Sequence, residues 1–292
     1  MHPRAALLPL FAVIAAQCSV NAGAALGKGL FADVGPEGVA VLRTGIAALV
    51  LLAVARPWRR PLGREQLGWL ALYGLALGAM NLLIYEAIAR IPLGVAVAIE
   101  ITGPLAVVLA TSRSARDLVW FALATGGVAL LVPWPGHAVP LDGAGILFAL
   151  GAAVCWAAYI VFGKQASRVP GLTAVSVGML FACLVTFPVG IPQAGGALLA
   201  SHVLALGAVV ALLSSALPYA LEMRALERMS TRVFGVASAT APAVAALAGL
   251  AFLGEILTGW QALGIAAVTA ACAGASLTSA PPVARPREDF HA

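Results

Sequence analysis

Four ionisable side chains, Arg43, Glu86, Glu100 and Glu222, fall within or at the edge of long apolar runs. Such charges are rare here, because 10% of the 292 residues are charged and 62% are hydrophobic. A charge in hydrocarbon costs several kcal/mol unless it faces protein or water, so its default reading is a polar path or binding site inside a bundle. Glu100 can exchange protons with a cavity or hold the ammonium group of an amino acid; a fixed ion pair with Arg43 is the structural alternative. Arg43 itself can bind a substrate carboxylate or snorkel outward. Glu86 and Arg90 have the four-residue spacing of an ordinary helix pair. Lys28 lies near a helix end and is expected to snorkel, and Glu222 beside Arg224 reads as interfacial. Asn21, Asn81, Tyr85, Trp156, Tyr159 and Tyr219 add hydrogen-bonding and aromatic surface within the same runs. Each of these, taken alone, is more often an interhelical hydrogen bond or an interfacial anchor than a ligand.

Other chemistry lacks its residues. Lys28 is followed by Gly29 and Lys164 by Gln165, outside any Walker frame, so ATP hydrolysis is not expected. His2, His137, His202 and His291 fall at termini or loops, and no nucleophile–base pair stands out. Cys18, Cys155, Cys183 and Cys272 lie singly in apolar runs, where a thiol acts as a small hydrophobe. Neither disulfide, metal site nor cofactor is expected, and no enzymatic activity. The energy source is then an ion or solute gradient, worth about 2.3 kcal/mol per charge at 100 mV.

The elements that must position these residues are membrane helices. Mean hydropathy is +0.99, and continuous runs near 20 residues suit spanning helices rather than a barrel. Ten spans are expected, at 7–31, 36–55, 67–90, 93–112, 118–134, 143–163, 173–191, 203–223, 233–252 and 260–278. With the N-terminus in the cytoplasm, the segments on that side hold 14 of the 17 Lys and Arg, all but Lys28, Arg43 and Arg90. The opposite connections hold Asp33, Glu37, Asp142 and Glu255. Cationic loops stay in the cytoplasm, so both termini are expected there. The basic pI is thus a topology signal and not a nucleic-acid footprint. Residues 4–24 superficially resemble a signal peptide, but Gln17 and Asn21 interrupt the apolar stretch.

A shift of 138 residues superposes the fourth span on the ninth. Arg90, Val95, Thr102, Pro104 and Leu109 then meet Arg228, Val233, Thr240, Pro242 and Leu247. Gly27-Lys28 and Gly163-Lys164 close the first and sixth spans in the same manner. The expected units are residues 1–142 and 143–280, five spans each, followed by a cytoplasmic tail at 281–292. Five is odd, so the second copy enters the membrane inverted, a transporter signature with the substrate held near the midplane. Pro104 and Pro242 each remove a helix hydrogen bond there, and the freed carbonyl needs a partner or forms only a packing kink.

Several stretches carry a family resemblance: Gly-Ala-Met-Asn at 78–81, Ile-Glu-Ile-Thr-Gly-Pro within 91–107, Leu-Pro-Tyr-Ala-Leu-Glu-Met within 214–223 and Phe-Leu-Gly-Glu within 252–258. The chain resembles the EamA family of the drug/metabolite transporter superfamily over residues 7 to 278. The resemblance implies an all-α integral membrane protein of the bacterial inner membrane with ten helices in two inverted repeats. It also implies a central cavity lined mainly by spans 1, 3, 4, 6, 8 and 9. The activity it implies is export of small neutral amino acids of the threonine or homoserine kind by proton antiport. Carried over by position, Asn81, Tyr85, Glu100, Thr102, Trp156, Tyr159, Tyr219 and Glu222 are cavity residues. The family commonly has Glu just before the proline of span 9; here Ala241 stands there, so Glu100 carries coupling alone or coupling differs. Export of drugs or other metabolites, and a lipid-modifying enzyme, are the alternatives. The expected partners are a small molecule, protons and lipid, the chain acting as a monomer or homodimer.

Reporter fusions test the threading. A reporter active only outside the cytoplasm should be silent when fused near Arg64, Arg116 or Lys164 and active near Asp142. Activity at both kinds of site would overturn the orientation.

Overall fold

Proline and glycine decide where these apolar runs stop being helix. The computed structural model describes residues 3–59, 61–111, 115–131, 141–166, 169–218, 221 and 237–278. Among them the order is α1 (Pro3–Lys28), α2 (Phe31–Ala55), a 3-10 turn (Pro57–Arg59), α3 (Arg64–Arg90), α4 (Leu93–Glu100), α5 (Thr102–Thr111) and α6 (Ala115–Leu131). There follow α7 (Gly143–Ala166), α8 (Gly171–Ala194), a 3-10 turn (Gly195–Leu199), α9 (Ser201–Ala211), a π-turn (Leu212–Ala216), α10 (Ala241–Leu253) and α11 (Gly259–Thr278). The described residues contain no strand.

Among the described residues, five segments are long and apolar enough to cross a membrane: Phe31–Arg59, Arg64–Arg90, Gly143–Ala166, Gly171–Leu199 and Gly259–Leu277. Shorter apolar helices lie among them. Leu49, Leu118, Leu147, Val154, Leu184 and Leu247 are exposed on five different helices. An apolar exterior spread around the bundle is what hydrocarbon solvates.

The helices depart from the expected spans at particular residues. The first ends at Lys28 rather than residue 31, because Phe31 already opens α2. Within α2, Gly35 adopts φ +69° ahead of Pro36, so its first turn is kinked from the rest. The fourth span is two helices, parted at Ile101. Pro104 has no N–H to give the carbonyl four residues back, and the Thr102 hydroxyl donates to Ile99 O at 2.6 Å. Thr240 does the same to Ala237 O at 2.6 Å just ahead of α10. All four cysteines are free. Cys183 and Cys272 are buried, Cys155 is partly buried and Cys18 is exposed.

Close helix approach needs residues without bulk. Gly38 meets Ala194 and Gly45 meets Phe187, so α2 and α8 run antiparallel. The Thr44 and Thr186 hydroxyls bond at 2.8 Å between them. Gly94 lies on Ala246 and Leu93 beside Gly249, which makes α4 and α10 antiparallel as well. Gly127 lies on Gly264 and Gly274 on Trp120, giving α6 and α11 the same relation. On α3, Gly74 and Gly78 bear on the backbone of Gly178 and Ala182 of α8, while α7 packs along another side.

A methyl group discriminates these sites. At Gly78 a Cβ would sit 2.6 Å from the Ala182 carbonyl, whereas at Gly68 it meets nothing within 4 Å. Gly78→Ala should destabilise by roughly 1–3 kcal/mol through overpacking. Gly68→Ala should be neutral or stabilise by up to about 1 kcal/mol through helix propensity. Thermal unfolding in detergent checks both; equal midpoints would show that the α3–α8 contact is not tight.

Candidate functional site

Many of the described polar groups inside the bundle have protein partners, and several others belong to residues that line a common space. That space is a cavity of about 550 Å³, within the range of small-molecule sites. It is reached by Gln17 and Asn21 from α1, Arg43 from α2, Asn81 and Tyr85 from α3 and Glu100 from α4. Pro104 of α5, Trp156 and Tyr159 of α7, Ser214 of the π-turn, Ser238 and Ala241 complete most of the far side.

Glu100 ends α4, where the helix breaks. The residue is 7% exposed. Among the described residues no hydrogen bond or salt bridge holds its carboxylate, and the ion pair with Arg43 offered as an alternative does not form. Arg43 faces inward instead of snorkelling. Its Nη2 donates to Ser214 O at 3.0 Å and its Nε to Ser215 Oγ at 3.5 Å. Its guanidinium carbon lies 5.8 Å from the Tyr85 ring centroid, a cation–π contact. The described partners of Arg43 are thus all neutral. A carboxyl group and a guanidinium line the same cavity without touching each other.

The π-turn explains Arg43's position. Its widened winding releases carbonyls from the helical ladder. Ser19 Oγ donates to Leu213 O at 2.7 Å, and Arg43 serves Ser214 O. A Cβ at Gly23 would strike Ser214 Oγ, so glycine is what lets α1 come this close.

Six described buried side-chain atoms have no hydrogen-bond partner: Asn81 Oδ1, Tyr85 Oη, Glu86 Oε1, Ser214 Oγ, Ser238 Oγ and Thr269 Oγ1. Four of them, on Asn81, Tyr85, Ser214 and Ser238, belong to cavity residues. An orphaned buried polar atom costs about 1–3 kcal/mol, so their convergence marks a site shaped for a polar ligand. Other groups are occupied. Asn21 Nδ2 donates to Gln17 O at 2.9 Å and Asn81 Nδ2 to Leu77 O at 2.8 Å. Tyr73 Oη donates to Tyr159 Oη at 3.1 Å.

Some expected site residues fall elsewhere. Thr102, Thr240 and Pro242 do not line the cavity; the two hydroxyls turn back onto their own chain. Tyr219 and Glu222 lie outside the described residues. Arg90 pairs with Glu86, lies 3.9 Å from Asp142 and rests on the Phe148 ring at 4.8 Å. Ser214 and Ser238 were missed from sequence. The 138-residue shift could have found Ser238, because it superposes Glu100 on that position.

Lys28 corrects the snorkelling expectation. Its Nζ bonds Glu255 Oε1 at 2.6 Å, and Glu255 Oε2 accepts the Leu93 N–H at 2.8 Å. Gly254, at φ +66°, turns the chain so that Glu255 folds back over α10. One carboxylate thereby ties the end of α1, the start of α4 and the α10–α11 connection, closing one end of the bundle.

With this geometry in view, comparison with known proteins is specific. Residues 143–277 match the family model described as the EamA-like transporter family. Proteins named threonine/homoserine exporter RhtA, from Salmonella typhimurium (strain LT2) and Escherichia coli (strain K12), are 46% identical over 271 residues, covering 93% of this chain and 92% of each relative. A solved crystal structure, 21% identical, covers 96% of this chain and 99% of its own with a TM-score of 0.55, which speaks for the fold alone. The chain belongs to the EamA-like transporter family. It is therefore a multi-pass bacterial membrane transporter and not an enzyme, which sets aside the lipid-modifying alternative.

Glu255→Ala leaves Lys28 and the Leu93 N–H without their shared partner. The expected loss is roughly 1–3 kcal/mol, read as a lower unfolding midpoint in detergent, with Glu255→Gln intermediate. Unchanged midpoints for both would show that the tie adds nothing.

Proposed function

We propose that this transporter exports small neutral amino acids of the threonine and homoserine kind from the cytoplasm, in exchange for protons. The observation that carries the reading is the pairing of Glu100 and Arg43 across one cavity, each without a charged partner in contact with it. An amino acid is the complementary zwitterion: its carboxylate suits Arg43, its ammonium suits Glu100, and the pair adds no net charge. Four orphaned polar atoms offer the remaining hydrogen bonds. The names of the relatives agree with a substrate of this size and polarity.

Exchange follows from a single carboxylate. Facing the cytoplasm, ionised Glu100 holds the substrate ammonium. Facing outward, a proton takes that oxygen and the substrate leaves. The protonated carboxyl returns and delivers its proton inside. Ammonium and proton compete for one group, so each displaces the other. Ala241 supplies no second carboxylate, which leaves this competition to Glu100.

Two inverted units, 1–142 and 143–280, supply the alternating faces in this reading. Its support is that α2 and α8, and α6 and α11, counterparts under the repeat, each run antiparallel. The other contacts also come in matched sets: α3 on α7 answers α9 and the π-turn on α1, and α5 on α7 answers α10 on α1. The Thr102 and Thr240 back-bonds have the same length, 2.6 Å. Both termini lie in the cytoplasm by the charge distribution.

The test uses purified protein in vesicles. An imposed pH gradient should drive labelled threonine or homoserine movement. Glu100→Gln should lose pH-driven movement by at least about 100-fold, consistent with losing the sole coupling group, while its unfolding midpoint stays near the parent's. Full coupling in that variant would remove Glu100 from the mechanism.

A further inference from the structure

We infer that Ser238 reads the side-chain hydroxyl of the substrate and thereby sets the preference for hydroxylated amino acids. The inference rests on the amino-acid reading above and goes beyond it to the determinant of specificity.

Ser238 is the second-half position that the 138-residue shift brings onto Glu100. Each of the two sits one turn before a helix-breaking proline, Pro104 or Pro242, and each lines the cavity. The antiparallel contacts of Leu93 with Gly249 and Gly94 with Ala246 run the two helices past each other. Continuing that register brings Glu100 level with residues 240–242, within about one turn of Ser238, and both Glu100 and Ser238 line the cavity. The two breaks therefore meet, with an ionisable carboxyl on one side and a neutral hydroxyl on the other.

The remaining polar groups have prior assignments by chemistry. Tyr85 Oη and Ser214 Oγ lie against Gly27 and Gly23, one turn apart on α1, and both residues neighbour Arg43. Hydroxyl donors beside a guanidinium suit a carboxylate. Asn81 Oδ1 can only accept, so it suits the ammonium. Ser238 Oγ can donate and accept, which is the complement of another hydroxyl. It is buried and has no partner among the described residues. A site holding an orphaned hydroxyl rejects a ligand that cannot satisfy it.

Threonine and homoserine become the same molecule, 2-aminobutyrate, when their hydroxyl is replaced by hydrogen. That compound is the matched probe. Apparent affinities for threonine, homoserine and 2-aminobutyrate are measured by transport in vesicles for the parent, Ser238→Ala and Ser238→Thr. The parent should favour threonine over 2-aminobutyrate by about tenfold or more. Ser238→Ala should bring that ratio close to one by weakening threonine and homoserine while leaving 2-aminobutyrate unchanged. Ser238→Thr, which keeps the hydroxyl, should restore the preference. An unaltered ratio in Ser238→Ala, or equal weakening of all three compounds, overturns the assignment while leaving amino-acid export standing. A parent that moves threonine and 2-aminobutyrate equally has the same consequence. A parent that moves no amino acid overturns both readings.

Discussion

Hydrocarbon offers no hydrogen bonds, and that constraint organises this chain. Every polar group inside the bundle must find a protein partner or face a polar interior. Thr44 and Thr186 answer each other; Ser19 and Arg43 answer carbonyls released by the π-turn. Thr102 and Thr240 answer carbonyls near their helix breaks. Once these partnerships are made, most of the orphaned described atoms that remain belong to residues lining a single cavity. The binding site is the residue left after structural needs are met, which is why it stands out so plainly.

Irregular backbone serves the same end. A continuous helix presents side chains but keeps its own amides engaged. The interruptions at Ile101, at 239–240 and at the π-turn all lie beside the cavity. They let a carboxylate, two hydroxyls and a guanidinium converge without placing any of them against lipid. The small residues do the complementary work. Gly23 and Gly27 bring α1 up to Ser214 and Tyr85, and Gly94 brings α4 onto α10.

Much of this was legible in the residues. The apolar runs announce membrane helices, and Arg43 and Glu100 stand out because a charge in such a run needs a reason. Thr102, Pro104 and their counterparts located the helix breaks, although not which way the hydroxyls turn. That outcome depends on local competition: a threonine hydroxyl finds the carbonyl three residues back sooner than it finds a ligand. Lys28 was misread because snorkelling and ion pairing have the same sequence signature. Its partner is 227 positions away, a separation that one chain's pattern cannot reveal. Ser214 was invisible for a similar reason, since nothing in Leu-Leu-Ser-Ser-Ala marks a π-turn.

The seating of α3 on α8 has a mechanical implication. With Gly74 and Gly78 pressed onto the backbone of Gly178 and Ala182, and Tyr73 filling the notch at Gly178, neither helix can tilt without tearing backbone from backbone. These two behave as a single strut. A displacement of either helix therefore carries the other with it.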